Sequence, residues 1–129
     1  MQNEDFLWAG IPFLSGISGQ QQAPCGAVTA AAIGLGLRHR CAMEDKSKTK
    51  RARNLIRNSA ARMVEEFAQA FGDITCKGLL GIDFSRPGEY KRFRDDGIWK
   101  DRCQRYVRFV IEKIYAFETN PPGDPDLKA

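Results

Sequence analysis

The sequence predicts an all-α domain, a helical bundle of about four main helices with a central apolar helix. Three observations carry that expectation. Residues 24–38 run almost without a polar side chain, Thr29 being the exception before Arg38, and a helix apolar all round is a buried one. Leu55, Ile56, Ala60, Met63, Val64, Phe67, Ala70 and Phe71 recur at helical spacing, with Arg53, Arg57, Glu65 and Glu66 mostly opposite. A second apolar stripe, Trp99, Cys103, Tyr106, Val107, Val110, Ile114 and Phe117, marks another helix. At 129 residues the chain fits one domain, read as 1–118, and should bury about two-thirds of its unfolded surface without disulfide staples.

Taken in order, residues 1–22 are too broken by Gly10, Pro12, Gly16 and Gly19 for a long helix. A short helical turn at 4–9 is expected, with Phe6, Leu7, Trp8, Ile11, Phe13 and Leu14 packing on the body. Gly16 and Gly19 allow a tight approach to Cys25. A Gly-bearing loop before a helix can also cradle an anion, but neither GxGxxG nor Walker spacing is present, so turn formation is preferred. Pro24 suits the first helical turn, and this sets Cys25 among the free N–H groups of the helix start. The helix dipole favours a thiolate there, which predicts a lowered pKa.

Gly34 and Gly36 weaken the 24–38 helix by about 1 kcal/mol each against Ala, so packing must hold it, and its small residues would let neighbouring helices come close. Arg38, His39 and Arg40 complement its C-terminal dipole. His39 and Cys41 are half of a metal site at most, and a solvated helix end is the preferred reading. The next helix starts after Ser47 or Thr49 as N-cap and stops at Gly72. Asp73 caps a short helix carrying Cys76, Leu79 and Leu80, ended by Gly81, so Cys76 also falls in a first turn. Residues 82–98 read as a loop around Arg86-Pro87-Gly88 with one helical turn at 88–94, folded on by Tyr90 and Phe93. Asp95 or Asp96 opens the last helix, 98–118, with Cys103 on its buried stripe. The tail, 119–129, is proline-rich and polar, and is expected to be disordered.

The charge balance, 20 Lys and Arg against 16 Asp and Glu, is a mild excess for a nucleic-acid binder, and the basic segment 46–62 reads as a solvated helix face. No apolar run reaches the roughly 18 residues that span a bilayer, and the N-terminus carries acids where a signal peptide carries basic residues, so a soluble, cytoplasmic protein is expected. The four cysteines form no CxxC pair, haem motif or zinc-finger spacing.

Cys25, Cys76 and Cys103 thus stand at two helix starts and on a core stripe. If those helices meet, the thiols converge, and converging thiolates support either thiol–disulfide exchange or ligation of a soft metal or iron–sulfur cluster. The competing reading is a non-catalytic helical interaction module whose cysteines are simply buried. A third is nucleic-acid binding through 46–62.

Gly16, Gly19, CGAVTAA from Cys25, Cys76 in TCKGLLGIDFS and Cys103 in CQRYVRFV together resemble the redox-active proteins named for the cysteine pattern C-GCAxxG-C-C, prokaryotic helical proteins. The resemblance spans about 10–116. It implies a redox role, with Cys25, Cys76 and Cys103 as the family's second to fourth cysteines. The leading expectation is a small redox-active thiol protein, with Cys25 the reactive thiolate and Cys76 or Cys103 its partner, that carries an iron–sulfur or other thiolate-bound metal or serves a larger oxidoreductase or electron-transfer partner. Two features depart from the pattern. The family's first cysteine, on a helix before the Gly-bearing loop, has no counterpart, as if that helix were missing, and Ala30 replaces the motif's glycine. Cys41 lies outside the pattern. A missing helix would leave an apolar face on the 24–38 helix, so a homodimer that covers it is expected.

Overall fold

The computed structural model describes residues 3–122, and among them every regular element is helical. α1, Glu4–Gly10, is started by Asn3, whose side chain accepts the Asp5 N–H at 2.9 Å, and a 3-10 turn follows over Ile11–Phe13. α2 is Gly26–Arg38 and α3 is Lys46–Phe71. The cap of α3 is Asp45, accepting the Lys48 N–H at 2.9 Å, rather than Ser47 or Thr49. A carboxylate reaches an orphan donor of the first turn as well as a hydroxyl does, and Thr49 is instead spent on the carbonyl of Ala42 at 3.2 Å. Gly72 ends α3 in the left-handed conformation at φ 84°, as anticipated. α4 is only Cys76–Leu80, capped by Thr75 rather than Asp73. The Asp73 carboxylate accepts the N–H groups of Ile74 and Thr75 ahead of it.

α5, Glu89–Asp95, is the turn anticipated at 88–94. The last helix opens with a π-helical turn, Trp99–Cys103, in which the Gln104 N–H returns to the Trp99 carbonyl, and continues as α6, Gln104–Thr119. Among the described residues the architecture is therefore three long helices, α2, α3 and α6, and three short ones, rather than about four main helices.

Helix α2 packs on both α3 and α6, and those two touch each other. Val28, Ala31 and Leu35 of α2 meet Met63 and Phe67 of α3 and Tyr106 and Val110 of α6, all buried. Phe67, Phe71, Tyr106 and Phe109 form an aromatic cluster with ring centroids 4.8 to 5.7 Å apart. Such pairs add about 0.5–1.5 kcal/mol each beyond their burial. Glu66 ties α3 to α6 through Lys113 at 2.8 Å, and Arg38 ties α2 to α6 through Glu118.

Two expectations about α2 change. It is covered along most of its length, only Ala30 and Arg38 being exposed, so no open apolar face remains on it. Gly34 and Gly36 do not admit a close neighbour, because a Cβ at either would meet nothing within 4 Å. On the last helix, Tyr106 and Val110 are buried while Trp99 and Val107 are exposed, so the single stripe read from sequence is two stripes on different faces. Among the described residues no helix is long and apolar enough to cross a membrane. The tail, read as 119–129, begins inside the end of α6, and 123–129 lie outside the described residues.

Candidate thiol site

Cys25, Cys76 and Cys103 line one cavity of about 620 Å³. They arrive from three separate elements: the N-cap of α2, the first residue of α4 and the last residue of the π-helical turn. Leu14, Leu80, Phe93 and Trp99 supply much of the remaining wall, and no acidic, basic or histidine side chain lines it.

Backbone pairing brings the first two cysteines together. Pro24 and Thr75 form an isolated antiparallel bridge, the Cys25 N–H donates to the Ile74 carbonyl at 2.6 Å, and the Lys77 N–H donates to the Gln21 carbonyl at 3.1 Å. Pro24 therefore sits in this bridge, ahead of α2 rather than in its first turn. It is suited to the place, since the pairing uses no N–H of its own. Gly26 completes the arrangement. A Cβ there would lie 3.0 Å from the Phe13 carbonyl oxygen, so glycine lets the 3-10 turn close over the start of α2.

The lead into the site is wound left-handed. Ser15, Gly16, Ile17, Ser18 and Gly19 have φ of 49°, 62°, 63°, 48° and 84°, and Gln21 has 64°. Each non-glycine residue in that region costs about 1–2 kcal/mol, and a β-branched one such as Ile17 is exceptional. Hydrogen bonds hold the winding: Ser18 N–H to Pro12 carbonyl at 2.8 Å, Gly19 to Leu14 at 3.1 Å and Gln21 to Ser15 at 3.0 Å. Gly16 is confined as well, since a Cβ would stand 2.8 Å from the Ala23 carbonyl oxygen; Gly19 faces open space.

Gln21 is the residue that sequence reasoning missed. Only 2% exposed, its side-chain amide donates to the Ile82 carbonyl at 2.9 Å and toward the Cys76 sulfur at 3.6 Å. Its side-chain carbonyl accepts the Phe84 N–H at 2.7 Å. One side chain thus fixes the left-handed loop, the segment after α4 and the Cys76 thiol. Nothing in the run GQQQ separates this glutamine from its two neighbours. Ser15, whose hydroxyl also hydrogen-bonds Cys76, was missed too.

The electrostatics overturn the expected lowered pKa at Cys25. Burial pushes its thiol up, and this outweighs the N–H groups of Ala27 and Val28 that face the sulfur and pull it down. The helix-start effect is real but smaller than desolvation. Burial also raises Cys76, against hydrogen bonds from Gln21 and Ser15, and a thiolate at Cys25 would raise it further. Cys103 is pushed up to about 11, first by burial and then by the charges of Cys25 and Cys76, with Arg102 opposing. The sulfurs therefore sense one another's charge, and the resting site is a set of protonated thiols.

Cys41 and His39 stand apart. Neither lines this cavity, and the Cys41 sulfur faces the Thr49 hydroxyl at 3.7 Å. All four cysteines are free thiols. Among the described residues no three His, Cys, Asp or Glu side chains form a group arranged to hold a metal ion. Cys25, Cys76 and Cys103 share their cavity with no fourth cysteine, histidine or carboxylate, one ligand short of a cluster that takes four.

No curated protein and no solved structure matches the chain. The family pattern does, and its match begins at residue 1, so it includes α1: a helix does precede the Gly-bearing loop, and it carries no cysteine. With its later cysteines gathered on one cavity and its sequence matched over residues 1–117, the chain belongs to the C_GCAxxG_C_C family, described as "putative redox-active protein".

Proposed function

We propose that this is a thiol–disulfide redox protein that works through Cys25, Cys76 and Cys103. The observation that carries the reading is the sharing of one cavity by three cysteines from distant parts of the chain. Cys25 is the attacking thiol, because two backbone N–H groups stand ready to stabilise its thiolate. It loses its proton and attacks one sulfur of an oxidised partner's disulfide. That bond breaks, a mixed disulfide forms, and the partner's other sulfur leaves as a thiolate and takes up a proton. Cys76 or Cys103 then attacks the Cys25 sulfur, which leaves an internal disulfide and a fully reduced partner. Two electrons pass from this chain to the partner, and an electron-transfer oxidoreductase able to reduce the internal disulfide returns them.

The ligand count favours this chemistry over a metal centre. A metal would need a further ligand that the cavity wall does not offer, whereas a disulfide needs only two of the three thiols. A purely structural role for the cysteines leaves their common cavity unexplained. The four free thiols suit a reducing, cytoplasmic setting. Disulfide mapping in a graded redox buffer tests the proposal. Cys25 paired with Cys76 or Cys103 is the expected product, and three thiols that remain alkylatable at the oxidising end would overturn it.

A homodimer is part of the proposal, but on a different surface from the one expected. Val107, Ile111 and Tyr115 lie exposed at four-residue steps along the last helix, with Trp99 exposed eight residues before Val107. Arg108 and Glu112 stand beside them on the same groove. An antiparallel pair of α6 helices about a two-fold axis near residue 110 would set Arg108 of one copy against Glu112 of the other. Sedimentation should give a dimer that Ile111→Glu converts to monomer, and a monomeric unmodified chain would remove this part of the proposal.

A further inference from the structure

On the thiol-redox reading, a small molecule as well as a protein disulfide can take the two electrons, and the cavity decides which small oxidant enters. We infer that it is an uncharged aromatic carrier of the quinone class, bound inside the cavity against Phe13, Tyr90, Phe93 and Trp99.

The lining decides the class. With no Asp, Glu, Lys, Arg or His on the wall, a charged redox couple would have to shed its water with no counter-charge to meet it. That excludes glutathione-like peptides and nucleotide cofactors with phosphates, because an unpaired buried charge is far more costly than a neutral ring. Four aromatic side chains offer faces and edges to a flat ring. The hydroxyls of Ser15 and Tyr90 and the indole N–H of Trp99 are the side-chain polar groups on the wall other than the thiols, and each is suited to donate to a ring carbonyl. A volume of about 620 Å³ lies within the usual range for a small-molecule site.

The resting protonation of the site matches such an acceptor. Buried thiols keep their protons, so electrons and protons leave together, and a quinone takes both. Two thiols and one quinone give one disulfide and one hydroquinone: an S–S bond forms, two S–H bonds break, and two electrons and two protons move to the two carbonyl oxygens. No further reactant is needed. The exposed edge of the cavity is apolar too, since Ile11 and Leu14 are 59% and 65% exposed at its mouth. An apolar carrier can therefore enter without crossing a polar rim.

The test uses the reduced full-length chain under anaerobic conditions with duroquinone, whose methylated ring resists direct capture by a thiol. The expected result is saturable loss of two thiols for each hydroquinone formed, with quenching of Trp99 emission measured in a Trp8→Phe background. Leu14→Glu and Ile11→Glu alter exposed positions that the fold does not bury. Each should lower the quinone rate about tenfold relative to oxidation by diamide, a small polar oxidant, through the cost of burying a charge. Rapid disulfide formation with diamide but unsaturable, wild-type-like quinone oxidation in both variants would overturn the quinone inference alone. Failure of diamide to join any two of Cys25, Cys76 and Cys103 would overturn the thiol-redox reading itself.

Discussion

Two neighbouring regions of this molecule are built on opposite principles. Around Phe67 the chain is packed to exclusion: Leu35, Met63 and Phe67 have no exposed surface, and four aromatic rings interlock between α3 and α6. Around Cys25 it is open, with an apolar cavity, a left-handed loop and large apolar side chains left in solvent, Ile11 and Leu14 among them. Stability is concentrated where there is no chemistry, and the thiols sit where the chain is strained and held by a few hydrogen bonds. Strain of this kind persists only when surrounding structure over-determines it, and Gln21 is the main source of that constraint.

The largest effect is expected in the packed region. Phe67→Ala removes a fully buried ring and its three aromatic partners, and should cost about 3–5 kcal/mol in a denaturant titration. Alkylation rates of the cavity thiols in the folded fraction should change little. If the thiols became fast-reacting while the protein remained folded, the two regions would not be separable.

Gln21→Ala should be smaller in stability and larger in chemistry. It strands the Ile82 carbonyl and the Phe84 N–H and frees Cys76, at a cost of about 1–3 kcal/mol. The same variant should speed alkylation of Cys76 more than that of Cys103, read by mass spectrometry of the labelled peptides. Equal acceleration at both would mean that Gln21 supports the whole cavity rather than one thiol.

The same division separates what was legible in the sequence from what was not. Regular packing has a periodic signature, so the apolar positions of α3, the glycine stops at 72 and 81, and the short α5 were readable in advance. The thiol region has none. Ser15, Ile17 and Ser18 are poor residues for a left-handed turn, and only long-range hydrogen bonds make them adopt it. The π-helical turn that carries Cys103 inserts a shift in helical phase that no spacing rule anticipates, and Trp99 at its start is exposed. Cys25 shows the limit most plainly. Its place at a helix start could be read from Pro24 and the apolar run, but the sign of its pKa shift depends on how deeply it is covered, and burial is a property of the assembled fold.

The smallest effect, and the sharpest measure of the thiol region, is the pH dependence carried by Cys103. Its folded pKa is about 11 against an ordinary value of 9.0. Between those values the unfolded chain has lost this proton while the folded chain still holds it, so the folded state binds more protons and stability falls as pH rises. Below pH 9.0 the contribution is fully present, and above about 11 it is gone. Cys103→Ser should flatten the stability profile across that window, leaving the weaker slopes from Cys25 and Cys76, whose pKa values are raised in the same direction. An unchanged slope in Cys103→Ser would mean that its sulfur is solvated like a free thiol, and the apolar cavity would then be open to water at its third cysteine.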